Sequence, residues 1–248
     1  MDAHEPLPVL WRDERLVAVH KPSGWLVHRT GLDAHETRFV VQTLRDQLGQ
    51  RVHPVHRLDK GTSGVLLMAL DPEAARAMAQ AFEARQIDKG YVALVRGWMP
   101  DEVRVDHALK PDDAPADAQP QPALTDFLCL HRIELPEAMD PRHPTTRVSL
   151  VEARPLTGRR HQIRRHLKHL SHPIIGDATH GKGPINRWWA QRLGLQRLWL
   201  HAFELGFEHP FTMEKLCIRS PWQHDAQWCH LMKSLALPES VGSHASSR

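Results

Sequence analysis

Residues 56–70 limit the fold more than any other stretch of the chain. His56-Arg57-Leu58-Asp59-Lys60-Gly61-Thr62-Ser63-Gly64 is a tight polar turn. It runs without a break into Val65-Leu66-Leu67-Met68-Ala69-Leu70, an apolar run of strand length. The turn carries one carboxylate, Asp59, close to two cations, Arg57 and Lys60. Gly61 and Gly64 bracket the hydroxyls of Thr62 and Ser63. A polar turn that feeds a buried strand is a way to hold one acid rigidly at a cleft. A charged hairpin closed by a surface salt bridge would use several of the same residues.

With 248 residues, the chain can form one large domain or two small ones, and 41% hydrophobic content supports a sizeable core. The net charge of +3 does not by itself argue for a nucleic-acid partner, so the distribution of charge has to be read. Cys129, Cys217 and Cys229 form no Cys-x-x-Cys pair and leave an odd residue. They predict free, mostly buried thiols in a reducing cytosol. Asp2 and Glu5 in an N-terminus without an apolar block exclude a signal peptide there. No apolar run is long enough to span a bilayer. The expectation is a soluble cytoplasmic protein. Histidine is abundant, at 19 residues, and Tyr91 is the only tyrosine.

The chain opens as a β-hairpin, Val9–Trp11 and Leu16–Val19, broken at Lys21-Pro22-Ser23-Gly24, with a short strand over Trp25–Val27. A helix is predicted over Val40–Leu48. Asp71-Pro72-Glu73 starts another, whose apolar face is Ala74, Met78, Ala81 and Phe82. Strands are predicted at Lys89–Gly97, Ala123–Leu130, Thr146–Ala153, Leu198–Phe207 and Lys215–Ile218. Helices are predicted at Arg159–His169, with a core stripe of Ile163, Leu167 and Leu170, and near Asn186–Arg192 and Asp225–Leu235. Pro111–Pro122 reads as an exposed insertion, and 238–248 as a disordered polar tail. Strands and helices mix without strict β-α-β alternation, which predicts an α+β fold around an antiparallel-rich sheet.

Between Arg154 and His172 the chain has six Arg or Lys and no acid. The six are Arg154, Arg159, Arg160, Arg164, Arg165 and Lys168. A stripe without interspersed acids is unlike a salt-bridged helix face and reads as a footprint for phosphate. His166, His169 and His172 have a spacing that could share one helix face, but no acid lies nearby and cations crowd them, so no metal is expected. Neither Gly-x-Gly-x-x-Gly nor a Walker loop occurs, so no nucleotide cofactor is expected.

The turn at His56–Gly64 resembles the His-Arg-Leu-Asp-x-x-Thr-Ser-Gly signature of the pseudouridine synthases usually called the RluA family. Thr157–Leu167 resembles that family's Thr-Gly-Arg-x-His-Gln-Ile-Arg-x-His-Leu motif, and Lys89–Gly97 its Tyr-bearing strand. The resemblance runs from about Leu10 to Leu235. It implies one pseudouridine synthase catalytic domain over residues 1–237, without an N-terminal S4-type module. The implied fold has a mixed, mainly antiparallel central sheet flanked by helices and loops. It implies that Asp59 is the catalytic nucleophile, that Arg164 pairs with it, and that Tyr91 stacks on the target base and is a candidate acid or base. Arg57 would fill the space vacated by a flipped nucleotide, and Arg159, Arg160, His161, Arg165 and Lys168 would contact RNA. A fixed cation makes physical sense beside Asp59, because desolvation in a cleft would otherwise raise the pKa of the carboxyl.

Segments 18–29, 62–68 and 172–181 look closer to a tRNA-modifying branch than to the ribosomal enzymes. That branch implies uridine 65 of tRNA, in the T-arm stem, as the target. The expected protein is a monomer that needs no cofactor or metal. Two other readings remain at this point: a synthase acting on large-subunit ribosomal RNA, and a non-catalytic RNA-binding protein using the same cleft.

Overall fold

The computed structural model describes residues 6–28, 37–112, 114–115, 117–140 and 142–237. The hairpin consists of β1 (Val9–Arg12) and β2 (Leu16–Lys21). Asp13 closes its turn by accepting the backbone N–H groups of Arg15 and Leu16 at 2.8 and 2.7 Å. α1 (Val40–Leu48) keeps its predicted bounds and stops at Gly49, which takes a left-handed conformation. β3 (His53–Pro54) and β4 (Ser63–Ala69) flank the signature turn. α2 (Pro72–Glu83) starts where Asp71 Oδ1 accepts the Ala74 N–H at 2.8 Å. There follow β5 (Asp88–Arg96), β6 (Glu102–Asp106), β7 (Leu124–Leu135), β8 (Thr146–Pro155), α3 (Gln162–His169), α4 (Gly183–Leu193), β9 (Leu200–Glu208), β10 (Lys215–Arg219) and α5 (Ala226–Ser234).

Several predicted boundaries move. Among the described residues, Trp25–Val27 contributes one bridge, Leu26 to Phe39. α3 begins at Gln162 rather than Arg159, because His161 sits in the left-handed region (φ 55, ψ 23) and cannot be part of a right-handed helix. β3 and β6 were not foreseen, although Glu102-Val103-Arg104-Val105-Asp106 alternates as an edge strand should. The thiols are less buried than expected: Cys217 is exposed, and Cys129 and Cys229 are half-buried. Residues 238–248 lie outside the described residues.

The chain divides into two compact units, 1–89 with 201–221 and 90–200 with 222–248. In the first, β2 pairs antiparallel with β1 and β4. β4 also runs parallel to β9 through Ser63–His201 and Gly64–Ala202, and β10 pairs antiparallel with β9. The sheet is therefore mixed. Leu16 and Ala18 of β2, Val65, Leu67 and Ala69 of β4, and Leu205 and Phe207 of β9 form a core with Ala74 and Met78 of α2. Val17, Val19, Leu66 and Met68, on the alternate positions, are buried as well. Cover on both faces explains why β4 reads as an unbroken apolar run.

In the second unit, β8 pairs antiparallel with β5 and β7, and β7 with β6. A bulge between Cys129 and His131 bends β7. Trp228 of α5 packs edge-on against Trp199 and Trp222, with ring centroids 5.3 and 5.5 Å apart. Trp199 O accepts the Leu94 N–H of β5, and the Trp199 N–H donates to Ile175 O, both at 3.1 Å. The Ile175 N–H donates to Leu94 O at 2.9 Å, so the segment Ile174–Asp177 is held on β5.

Candidate active site

The Asp59 turn belongs to the first unit and is pinned from below. The Thr62 N–H donates to Asp59 O at 3.0 Å, and the Gly24 N–H to Lys60 O at 2.8 Å. Lys21 is fully buried, and its ammonium donates to the carbonyls of Pro22, Lys60 and Thr62 at 3.1, 3.1 and 2.7 Å. A buried cation is tolerated when its donors are satisfied, and here it fixes the backbone on both sides of the turn. Ser23 Oγ donates to Gly61 O at 2.8 Å. Behind the turn, His201 Nε2 donates to Ser220 O at 2.7 Å. His201 Nδ1 is left to accept from Ser63 Oγ at 2.8 Å. Leu58 is buried, Asp59 half-exposed and Arg57 exposed, so the turn presents its charged side chains while its apolar residue anchors it.

His56 is structural. Its Nε2 accepts the Leu67 N–H at 3.0 Å, and its ring stacks on Phe82 of α2 with centroids 4.7 Å apart. Burial, aided by the nearby Lys89 charge, pushes its pKa down to about 3, so the ring is neutral at ordinary pH.

Tyr91, Arg164 and the cations of the Arg159–Lys168 segment belong to the second unit. Tyr91 is half-buried on β5, opposite Ala153 of β8. Arg164 grips Asp177 with two parallel bonds, Nε to Oδ2 and Nη2 to Oδ1, both 2.8 Å. The Asp177 side chain is wholly buried, and its Oδ1 also accepts the N–H groups of Thr179 and His180 at 2.9 and 2.8 Å. Burial alone would raise the Asp177 pKa. The Arg164 guanidinium and the His180 N–H outweigh it and hold the carboxyl below its usual range. The result is a guanidinium in one fixed orientation, supported by a carboxylate that sequence reading did not assign to the site.

The motif around α3 divides between structure and surface. Gln162 is buried. It accepts from Thr157 Oγ1 (2.6 Å) and the Arg159 N–H (3.0 Å), and donates to Leu124 O (3.0 Å) and Thr125 Oγ1 (2.9 Å). His166 Nε2 donates to His107 O, and its Nδ1 accepts from Thr125 Oγ1, both at 3.0 Å. These bonds lash α3 to the start of β7 and to the residue that follows β6. His169 instead stacks on His107 at 3.9 Å, and His172 Nδ1 donates to Arg96 O at 2.7 Å. The three histidines of the i, i+3, i+6 pattern thus do separate jobs. Among the described residues no group of three His, Cys, Asp or Glu is placed to hold a metal.

The stripe that is free of acids in sequence is not free of them in space. Glu152 meets Arg154 at 2.5 Å, Asp177 takes Arg164, and Asp112 lies 3.1–3.4 Å from Arg160, His161 and Arg165. Periodicity could not foresee this, because Asp112 and Asp177 come from other parts of the chain. Lys168 remains exposed, and Arg159 is half-exposed with Nε directed at Pro122 O.

The first unit thus carries one acid on a pinned turn, and the second a fixed arginine on a basic helix. The RNA pseudouridylate synthase family matches residues 15–169. A protein of Pasteurella multocida (strain Pm70) named tRNA pseudouridine synthase C is 48% identical over 91% of this chain and 95% of its own length. A Yersinia pestis protein of the same name is 48% identical over 91% of this chain and 90% of its own. The solved structure of human RNA pseudouridylate synthase domain containing 1 superposes with TM-score 0.69 and 28% identity, covering 89% of this chain and 86% of that one. Human RNA pseudouridylate synthase domain containing 4 gives TM-score 0.68 and 26% identity over 92% and 93%. The chain belongs to the RNA pseudouridylate synthase family, has its fold, and is a pseudouridine synthase acting on RNA. No helix among the described residues is long and apolar enough to cross a membrane.

Proposed function

We propose that this protein converts a uridine of tRNA to pseudouridine, at position 65 in the T-arm stem. The reading is carried by the likeness, over about nine-tenths of the chain, to relatives named tRNA pseudouridine synthase C. In this reaction the N1–C1′ glycosidic bond breaks, the uracil turns while held, and a C5–C1′ bond forms. The C5 proton leaves and N1 takes one up. Atoms and electrons balance without an oxidant, so positioning and electrostatics supply the catalysis. Asp59 is the essential carboxylate, acting on ribose, on the base, or on a ribose proton. Arg164 is the cation that the family motif assigns as the partner of Asp59. Tyr91 stacks on the flipped uracil and exchanges the C5 proton. Arg57 stacks in the vacated space, and the cations of the Arg159–Lys168 segment hold the phosphate backbone. The enzyme acts in the cytoplasm as a monomer, with neither metal nor cofactor.

The test is single-turnover release of tritium from C5-labelled tRNA, with pseudouridine mapped in the product and binding measured in parallel. The wild type should release tritium, and the modification should map to position 65. Asp59→Asn should bind tRNA and release none. Tyr91→Phe keeps the ring and should bind nearly normally with a large fall in release. Retention of turnover by Asp59→Asn within roughly tenfold of wild type, about 1.4 kcal/mol in barrier, would remove Asp59 from the chemistry. Modification confined to large-subunit ribosomal RNA would replace the proposed substrate.

A further inference from the structure

The stretch at 111–122 is tied at both ends to the basic segment. Leu109 and Gln121 close its neck with two backbone hydrogen bonds, 2.8 and 3.0 Å. Arg165 Nη1 donates to Lys110 O at 2.7 Å on one side, and Arg159 Nε to Pro122 O at 3.2 Å on the other. This clamp delivers Asp112 onto the basic surface. Its Oδ2 lies 3.4 Å from Arg160 Nε and 3.1 Å from His161 Nδ1, and its Oδ1 lies 3.4 Å from Arg165 Nη1. Two guanidinium groups, with the His161 ring beside them, therefore surround one pair of anionic oxygens.

The backbone around this cluster has two local features. His161 holds a left-handed conformation that is costly for a residue with a Cβ, and Arg160 and His161 directly precede α3, whose first turn contains no acid. Nevertheless the fit of Asp112 is loose. Its contacts exceed the 2.7–2.9 Å typical of charge-assisted bonds, and its side chain is 29% exposed. A carboxylate and a phosphate present similar oxygen pairs, and arginine binds both.

We propose that Arg160, His161 and Arg165 form a phosphate subsite for the RNA backbone, that Asp112 occupies it in the free protein, and that RNA must displace Asp112 to bind. This rests on the reading of the Arg159–Lys168 segment as the RNA path. An RNA that docks in register recovers the displacement cost through its remaining contacts, whereas an arbitrary duplex does not. Asp112 is thus a specificity-determining residue that weakens non-cognate binding.

Asp112→Asn keeps the shape and removes the charge at an exposed position. Binding to a tRNA transcript and to a short RNA duplex of arbitrary sequence would be measured across a salt series. Asp112→Asn should tighten duplex binding by roughly three- to tenfold and tRNA binding by less. It should steepen the slope of log K against log salt by up to about one unit, and Asp112→Glu should restore wild-type behaviour. Unchanged affinity and slope, or weaker binding, in Asp112→Asn would overturn the proposal. Arg160→Ala, measured alongside, separates the two ideas. A shallower slope there with an inert Asp112→Asn leaves the RNA path standing and removes only the displaced anion. An unchanged slope in Arg160→Ala takes RNA off this face and overturns the subsite with it.

Discussion

Arg164 shows how one residue can carry two burdens. It is the cation proposed for the site, and it is also the partner that makes the buried Asp177 carboxylate tolerable. Removing one member of a buried pair strands the other, at a cost of about 3–5 kcal/mol. Arg164→Ala should therefore lose stability as well as turnover, and its activity must be compared at equal folded fraction. Asp177→Asn should also be destabilised. Its kcat should fall with little change in tRNA affinity, because the wholly buried Asp177 orients the guanidinium and cannot itself reach RNA. Urea unfolding of both single variants and the double variant checks the coupling. The double variant should lose clearly less than the sum of the two, and simple additivity would show that the pair does not act as a unit. Arg164 was legible in the sequence because its motif is local. Its support by Asp177 was not, since the two meet only once Ile174–Asp177 is laid on β5.

At the scale of the element, the turn at 56–64 and β4 form one rigid piece, and Gly64 shows why. Its φ of +113 is one that residues with a Cβ rarely adopt, and an added Cβ would lie 2.0 Å from the carbonyl oxygen of Ala202 on β9. The parallel pairing of β4 with β9 depends on this close approach. Gly64→Ala should cost at least about 3 kcal/mol, combining backbone strain with displacement of β9. Chemical denaturation of the purified variant measures it, and a loss under about 1 kcal/mol would mean that the backbones are not so close. The bounds of α1, the cap of α2 and the courses of β4, β5 and β8 could be read from pattern and punctuation. The true start of α3 could not, because the left-handed His161 is imposed by what surrounds it rather than by local propensity.

For the molecule as a whole, burial of neutral histidine sets the response to acid. His56 has a folded pKa of about 3 against about 6.5 for an ordinary histidine, so between those values the unfolded chain binds the extra proton. Its contribution is fully present above pH 6.5 and is lost as the pH falls toward 3, at no more than about 1.4 kcal/mol per pH unit. His166 and His180 are shifted downward mainly by burial, and they act in the same direction. Stability should therefore fall from pH 6.5 to pH 5, with at most about 2 kcal/mol of the loss from His56. His56→Gln keeps a side-chain acceptor that cannot titrate. It should be less stable at pH 7 but should show a flatter pH dependence over this interval. Urea unfolding at several pH values makes the comparison, and an identical slope in the variant would mean that His56 is not held neutral.

Local chemistry made the family, the α+β class, most elements and the position of Asp59 readable in one dimension. Caps, turn residues and apolar periodicity act over a few residues, and the signature turn is contiguous. Tertiary structure alone brought in the groups that act at long range. Lys21 lies beneath the Asp59 turn because β2 pairs with β4. His201 reaches Ser63 because β9 runs beside β4. Asp112 and Asp177 compensate a stripe of cations that looked unopposed in the sequence. Charge acts through space, so the electrostatics of this site could be judged only after the fold had chosen its neighbours.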